Sequence, residues 1–166
     1  MRRLLFVIAL FAALPLFAQE SPVRVSVYAS DLIETDAKGF GAALEYQLHP
    51  RWAVELAVAS ETHTILNFFS PTERHVRTRP IDLTLHYYFT NQTRWQPFLG
   101  AGVRRVTSSD DAIDAQTSAE IDGGFHFMVT PSFSIRVDGR VPLENDDTTL
   151  SFGPALKLSA GVGWKF

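Results

Sequence analysis

Apolar and polar residues alternate with a period of two in segment after segment of this chain, and clusters of Pro, Gly, Asn, Asp and Ser break the alternation between segments. That period puts successive side chains on opposite faces and predicts half-buried β-strands. Residues 23–30 set Val23, Val25, Val27 and Ala29 on one face, and 40–48 set out Phe40, Ala42, Leu44, Tyr46 and Leu48. Residues 52–60 offer Trp52, Val54, Leu56 and Val58; residues 81–89 offer Ile81, Leu83, Leu85, Tyr87 and Phe89. The same holds for Leu99, Ala101 and Val103 in 97–106, and for Ala119, Ile121, Phe125 and Phe127 in 118–127. Phe133, Ile135, Val137 and Val141 follow in 133–141. Residues 154–166 alternate from Leu156 to a terminal Phe166, which makes an eighth strand. Helical periodicity is almost missing after Gln19.

The breaks differ in length. Residues 49–51, 90–94 and 128–132 are short connections, whereas 31–39, 61–80, 107–117 and 142–153 are longer and polar. Eight strands with short turns at one end and long loops at the other predict an all-β fold: an eight-stranded antiparallel transmembrane β-barrel of the outer-membrane type. The prolines agree. Pro50 and Pro131 sit in turns, and Pro80, Pro97, Pro142 and Pro154 sit at strand ends, where no ladder donor is lost.

Aromatic placement is an independent check. Tyr46, Trp52, Tyr87, Phe89, Trp95, Phe127, Phe133, Trp164 and Phe166 all fall at strand ends on the short-turn side. Rings with an apolar body and a polar edge prefer a membrane–water interface, so these residues read as a periplasmic girdle. The last strand must pair with the first, because an open edge in lipid leaves backbone groups without partners.

If the apolar face meets lipid, the other face meets a narrow lumen, and its charges need partners. That face carries Glu45, Glu55, Asp82, Glu120, Asp122 and Asp138 against Arg104, Arg136, Arg140, Lys157 and Lys165. With the 128–132 turn centred on Thr130, Glu120 is expected opposite Arg140; a turn near Gln92 puts Asp82 opposite Arg104. Glu45 and Glu55 also face each other, which calls for a base from another wall or a shared proton. The main rival is a soluble exported lipocalin-like barrel, with the same alternation turned inside out.

Composition adds the compartment. Arg2 and Arg3 precede the apolar run Leu4–Ala18 and the polar "QES", which predicts a cleaved secretory leader over 1–18 and a barrel domain over 19–166. Without the leader, the formal charge goes from −3 to −5, since only Arg2 and Arg3 are lost. That acidity and the lack of a basic stripe argue against nucleic acid. The chain has no cysteine, so export proceeds without disulfides.

Candidate chemistry is sparse, and no cofactor or metal is expected. His126 and Ser134 face each other near the last short turn, with Asp122 and Asp138 beyond, but no hydrolase motif surrounds them. "SSDDAIDAQ" (108–116) and "ENDDTT" (144–149) lack the ligand spacing of a calcium loop and read as solvated tips. His63, His75 and His86 do not make a metal set; His86 reads as lumen packing. The stretch 62–79 carries Ile65, Leu66, Phe68 and Phe69, too apolar for an idle tip, together with Arg74, Arg77 and Arg79. Either it covers the barrel mouth and touches lipid, its arginines and Arg105 meeting lipid phosphates, or the strands extend above the membrane with Phe68 and Phe69 as an outer girdle.

"RHVRTRPIDLTLHYYF" (74–89) followed by "RWQPFLGAGV" (94–103) resembles the central region of OmpW-type outer-membrane barrels, and "ASETHTI" (59–65) is similar to the stretch after that family's third strand. The terminal aromatic resembles the signal read by the barrel-assembly machinery. The resemblance implies an eight-stranded barrel in a Gram-negative outer membrane that binds or passes small hydrophobic molecules. The other readings are a structural or surface-interaction barrel whose outer loops contact host, phage or lipopolysaccharide, and a lipid-modifying enzyme.

Overall fold

The computed structural model describes residues 22–33, 37–66, 73–90, 93–109, 115–143 and 156–166. The expected leader, 1–18, lies outside them. Eight strands follow one another: β1 (Val23–Leu32), β2 (Ala37–His49), β3 (Trp52–Leu66), β4 (Glu73–Tyr88), β5 (Trp95–Ser108), β6 (Gln116–Met128), β7 (Phe133–Leu143) and β8 (Lys157–Lys165). Each pairs antiparallel with the next, and β8 returns to β1 in register from Arg24↔Lys165 to Leu32↔Lys157, closing the barrel. Closure gives every strand two neighbours, so no edge is left to face hydrocarbon.

Exposure separates the two faces. Leu44, Leu56, Leu83, Leu85, Leu99 and Val103 are all exposed, while Arg136, Arg140 and Lys157 are 0–1% exposed inside. A soluble barrel has the reverse arrangement, because an apolar band encircling the molecule is not a surface that water tolerates. The lipocalin-like alternative is therefore set aside. The apolar band is what lipid solvates, and the outer-membrane barrel is the architecture.

The strands run further than the hydropathy pattern suggests. The segment 61–80, expected as a loop, is mostly strand: β3 reaches Leu66, β4 starts at Glu73, and they pair from Glu61↔Thr78 to Leu66↔Glu73. Parity holds there, with Glu61 and His63 buried and Thr62 exposed, but Ser60 to Thr64 are polar on both faces, so the apolar half of the signal is interrupted while pairing continues. The expected loops 31–39 and 107–117 shrink in the same way. As a result, 67–72 is no longer than 89–94 at the other end. Loop length therefore does not distinguish the two ends of the barrel at this hairpin.

Two glycines make room where the interior is most crowded. A Cβ on Gly41 would stand 2.5 Å from the Tyr28 ring, and one on Gly100 would stand 2.0 Å from Asp122 Oδ1 and 2.5 Å from His86 Cδ2. Side chains on neighbouring strands occupy the space these glycines leave.

Candidate functional site: the charged lumen

Inward positions on all eight strands converge on one polar column. At the end that carries the termini Arg24, on β1, donates to Glu45 Oε1 at 3.0 Å, to the Tyr88 hydroxyl at 3.1 Å and to Gln96 Oε1 at 3.1 Å. One guanidinium thus ties β1 to β2, β4 and β5. The Tyr88 hydroxyl also donates to Glu45 Oε2. His86 stands between two acids, with Nδ1 3.2 Å from Glu45 Oε2 and Nε2 2.9 Å from Asp122 Oδ2. An ionised carboxylate only accepts, so acids on both sides call for an N–H on each ring nitrogen.

The middle of the column is a two-arginine clamp. Arg136 grips Glu55 with both terminal nitrogens and donates from Nε to Asp138. Arg140 donates to Glu55 Oε1 at 2.7 Å, to Asp82 Oδ2 at 3.1 Å and to Asp138 Oδ2 at 3.2 Å. Guanidinium forks match carboxylates in plane, and charge-assisted bonds of this kind are the strong ones. Thr84, across from Glu55, donates to Glu120 Oε1 at 3.1 Å. Arg104 reaches Glu61 Oε2 at 3.1 Å and Asp82 Oδ1 at 3.8 Å, and Lys157 meets Glu61 Oε1 at 2.7 Å. The column then ends in buried His63, whose Nε2 lies 3.0 Å from the Thr78 hydroxyl.

Glu45, Glu55, Asp82, Arg104, Glu120, Asp122, Arg136, Asp138, Arg140 and Lys157 are all buried in the lumen. Lys165 is half-buried at the mouth that carries the termini and donates to Gln47 Oε1 at 3.3 Å. Asp82 lies opposite Arg104, and Glu45 lies opposite Glu55. The two glutamates part to different bases, Arg24 for one and Arg136 with Arg140 for the other. Two expected pairings are corrected: Arg140 lies across from Asp122 and Glu120 across from Pro142, and His126 lies across from Arg136 while Ser134 lies across from Met128. The β6–β7 turn is centred one residue later than Thr130, which slides each partner by two positions and leaves the facing parity intact.

Arg24 and Glu61 are central to the column and were not among the expected residues. Arg24 is a lone charge in an apolar stretch, yet it shares parity with buried Ser26, Tyr28 and Ser30. Glu61 and His63 continue the parity of Glu55 through a segment whose polarity reads as loop.

The arrangement has no catalytic nucleophile and no vacant metal centre among the described residues. Ser134 Oγ lies 3.5 Å from His126 Nδ1, and Asp122 and Asp138, which a triad would need, are bound to His86 and to the two arginines. Glu45, Glu55 and His86 bring ligand atoms within 4.8 Å of one another, but Arg24, Arg136, Arg140 and Asp122 already occupy them.

On the outward face the aromatic residues stack at the end of the barrel that carries the termini. Trp52 packs on Tyr87 at 5.0 Å and Tyr87 on Phe89 at 5.5 Å; Trp95 packs on Phe127 at 4.9 Å, and Phe133 on Trp164 at 5.2 Å. Tyr46 is exposed beside them, and the Phe166 amide donates to Val23 O at 3.0 Å. At the other end, Arg77 faces outward from β4 and is exposed. Ile65, Leu66 and Arg74 belong to the ends of β3 and β4 and not to a loop. Phe68 and Phe69 lie outside the described residues, as do 110–114 and 144–149 of the two acidic stretches.

No family model matches this sequence, and no curated protein sequence is significantly similar to it. Solved structures are similar in fold. The outer membrane protein OprG from Pseudomonas aeruginosa superposes with a TM-score of 0.66 at 16% identity, over 89% of this chain and 97% of that one. The N-terminal β-barrel domain of Pseudomonas aeruginosa OprF gives a TM-score of 0.62 at 19% identity, over 89% of this chain and all of that one. Yersinia pestis Ail, in a phospholipid bilayer nanodisc, gives 0.60 at 15% identity, again over 89% of this chain and all of that one. At these identities the likeness is one of fold, a small outer-membrane barrel.

Proposed function

We propose that this chain is a closed-lumen barrel that acts through its surfaces, conducting no solute along its axis and catalysing no reaction. The observation that carries this reading is the clamp of Arg136 and Arg140 on Glu55, which fills the middle of the lumen with side chains at 0–1% exposure. Eight-stranded barrels leave room for little else inside. Lipid and lipopolysaccharide surround the barrel, and its outer loops are where a host or phage contact would fall. The leader 1–18 directs export, and the C-terminal strand ending in Phe166 is what the barrel-assembly machinery reads. The test is swelling of proteoliposomes in a small sugar. Folded barrel that leaves the vesicles as tight as protein-free ones supports the reading; swelling at porin-like rates removes it.

A second reading keeps the resemblance to OmpW-type barrels and the passage of small hydrophobic molecules, now through the wall. Pairing of β3 with β4 runs from Trp52↔Tyr87 to Val58↔Ile81 and resumes at Glu61↔Thr78, passing over Ala59, Ser60, Arg79 and Pro80. Pro80 has no N–H to give either neighbour, so the wall is weakest there. A hydrophobic solute would also have to displace the buried Glu61 and His63 beside that gap, which makes this reading the second one. Uptake of a hydrophobic dye into barrel-containing vesicles that falls in P80V would favour it; uptake equal to protein-free vesicles would end it.

A further inference from the structure

The lumen arginines are all paired. Three arginines on the opposite face have no ion-pair partner among the described residues, and they stand together. Arg77, Arg79 and Arg105 point outward from the far ends of β4 and β5, and all three are exposed. Arg79 lies across from Thr107, and Arg105 lies across from Ile81 on one side and Thr117 on the other. Arg79 and Arg105 are therefore diagonal neighbours, roughly 7–8 Å apart at the backbone. Arg77 is two residues further along β4, about 7 Å on, and faces Thr62.

We propose that these three arginines form a binding site for the phosphate groups of outer-leaflet glycolipid. Among the described residues none of the three guanidiniums is in an ion pair, and the outward positions flanking them, Ser60, Thr62, Thr107 and Thr117, carry hydroxyls and no carboxylate. Lys38, the next cation along this rim, differs: it faces Asp31. The backbone under the arginines is tied down. Ser109 exchanges bonds with Arg77, its amide donating to Arg77 O at 2.9 Å and its hydroxyl accepting from Arg77 N at 3.3 Å, and the Thr107 hydroxyl donates to Arg79 O at 3.3 Å.

Height selects the partner. Immediately below the arginines come Ile81, Leu83 and Val103, the exposed apolar belt. From the girdle at Tyr87 to Arg79 and Arg77 the strand climbs about 20–25 Å along the membrane normal, at ~3.3 Å per residue and ~40° tilt. That is the thickness of the apolar band of an outer-membrane barrel, so the guanidiniums reach the level of the lipid headgroups. The lipid at that level, on the side away from the termini, is the phosphorylated glycolipid of the outer leaflet. Arginine forks bind phosphate oxygens two at a time, and three of them on two adjacent strands fit one or two phosphates of a single headgroup. This site rests on the outer-membrane reading with periplasmic termini and is independent of whether the lumen conducts.

The test uses the full-length mature barrel, reconstituted in phosphatidylcholine vesicles doped with bis-phosphorylated lipid A. The barrel is re-extracted in mild detergent, and retained lipid per barrel is counted by native mass spectrometry. Wild type is expected to keep lipid A, and R77Q/R79Q/R105Q to keep roughly tenfold less, as for loss of a few charge-assisted contacts. R51Q/R94Q, which removes charge at the periplasmic end, should match wild type. Dephosphorylated lipid A and phosphatidylglycerol should be retained at the level of the triple variant. Equal retention by the triple variant, or equal retention of dephosphorylated lipid A or phosphatidylglycerol by wild type, overturns the site. Faster migration of unboiled samples on a gel certifies that each variant is folded. If the triple variant fails that check, R79Q and R105Q singly must each lower retention, and no loss in either overturns the proposal.

Discussion

Arg140 on β7 and Glu55 on β3 stand on opposite walls of the barrel, four strands apart in either direction, and their side chains meet at 2.7 Å. Arg136 joins them from the same wall as Arg140. A bond across the full diameter does two things at once: it braces the walls and closes the bore.

Removing one partner leaves the other buried and uncompensated. E55Q or R140M should each destabilise the folded barrel by about 3–5 kcal/mol. The double variant E55L/R140M should cost less than the sum of the two single changes, since the Arg140–Glu55 pair leaves together, while Arg136 keeps Asp138 and Asp82 keeps Arg104. Urea unfolding in lipid vesicles reads all three. Single variants within ~1 kcal/mol of wild type would mean that the clamp contributes little to stability.

Gly100 gives way to the His86–Asp122 bridge, with only 2.0 Å between a would-be Cβ and Asp122 Oδ1. G100V should push both side chains off their bond and cost about 1–3 kcal/mol as overpacking, with more for any polar group left unpaired. G139A, where the nearest atoms are lipid-side leucines at 3.4 Å and 3.5 Å, should be close to neutral. Similar losses in the two variants would show that the lumen is looser than the bridge implies.

The lipid face has its own depth scale. Leu83 lies in the middle of the apolar belt, between Leu56 and Val103, so L83R should cost about 2–4 kcal/mol, whereas T107R, level with Arg79, should cost ~0–1 kcal/mol. The same unfolding measurement checks both. Equal costs would mean that the belt is not where hydrocarbon lies.

Much of the barrel was legible in the sequence because a two-residue period survives any error in loop length. The facing parity of Glu45 with Glu55 and of Asp82 with Arg104 came from that period alone. What the pattern could not carry was the slide along a strand. Centring the β6–β7 turn one residue early exchanged Asp122 for Glu120 as the residue across from Arg140 without changing which face either takes. The reach of β3 to Leu66 was hidden because five successive residues, Ser60 to Thr64, are polar on both faces and interrupt the alternation before Ile65 and Leu66. Arg24 was hidden for the opposite reason: one charge among valines reads as noise until Glu45, Tyr88 and Gln96 are seen around it. Partners drawn from three other strands leave no mark in local spacing.

Single-channel recording in a planar lipid bilayer tests the closed lumen most directly. Folded wild-type barrel should insert and give no discrete openings above the baseline, and the variant E55A/R136A/R140A, stripped of the clamp, should give small steps. Steady openings of wild type would contradict a lumen closed by Arg136, Arg140 and Glu55.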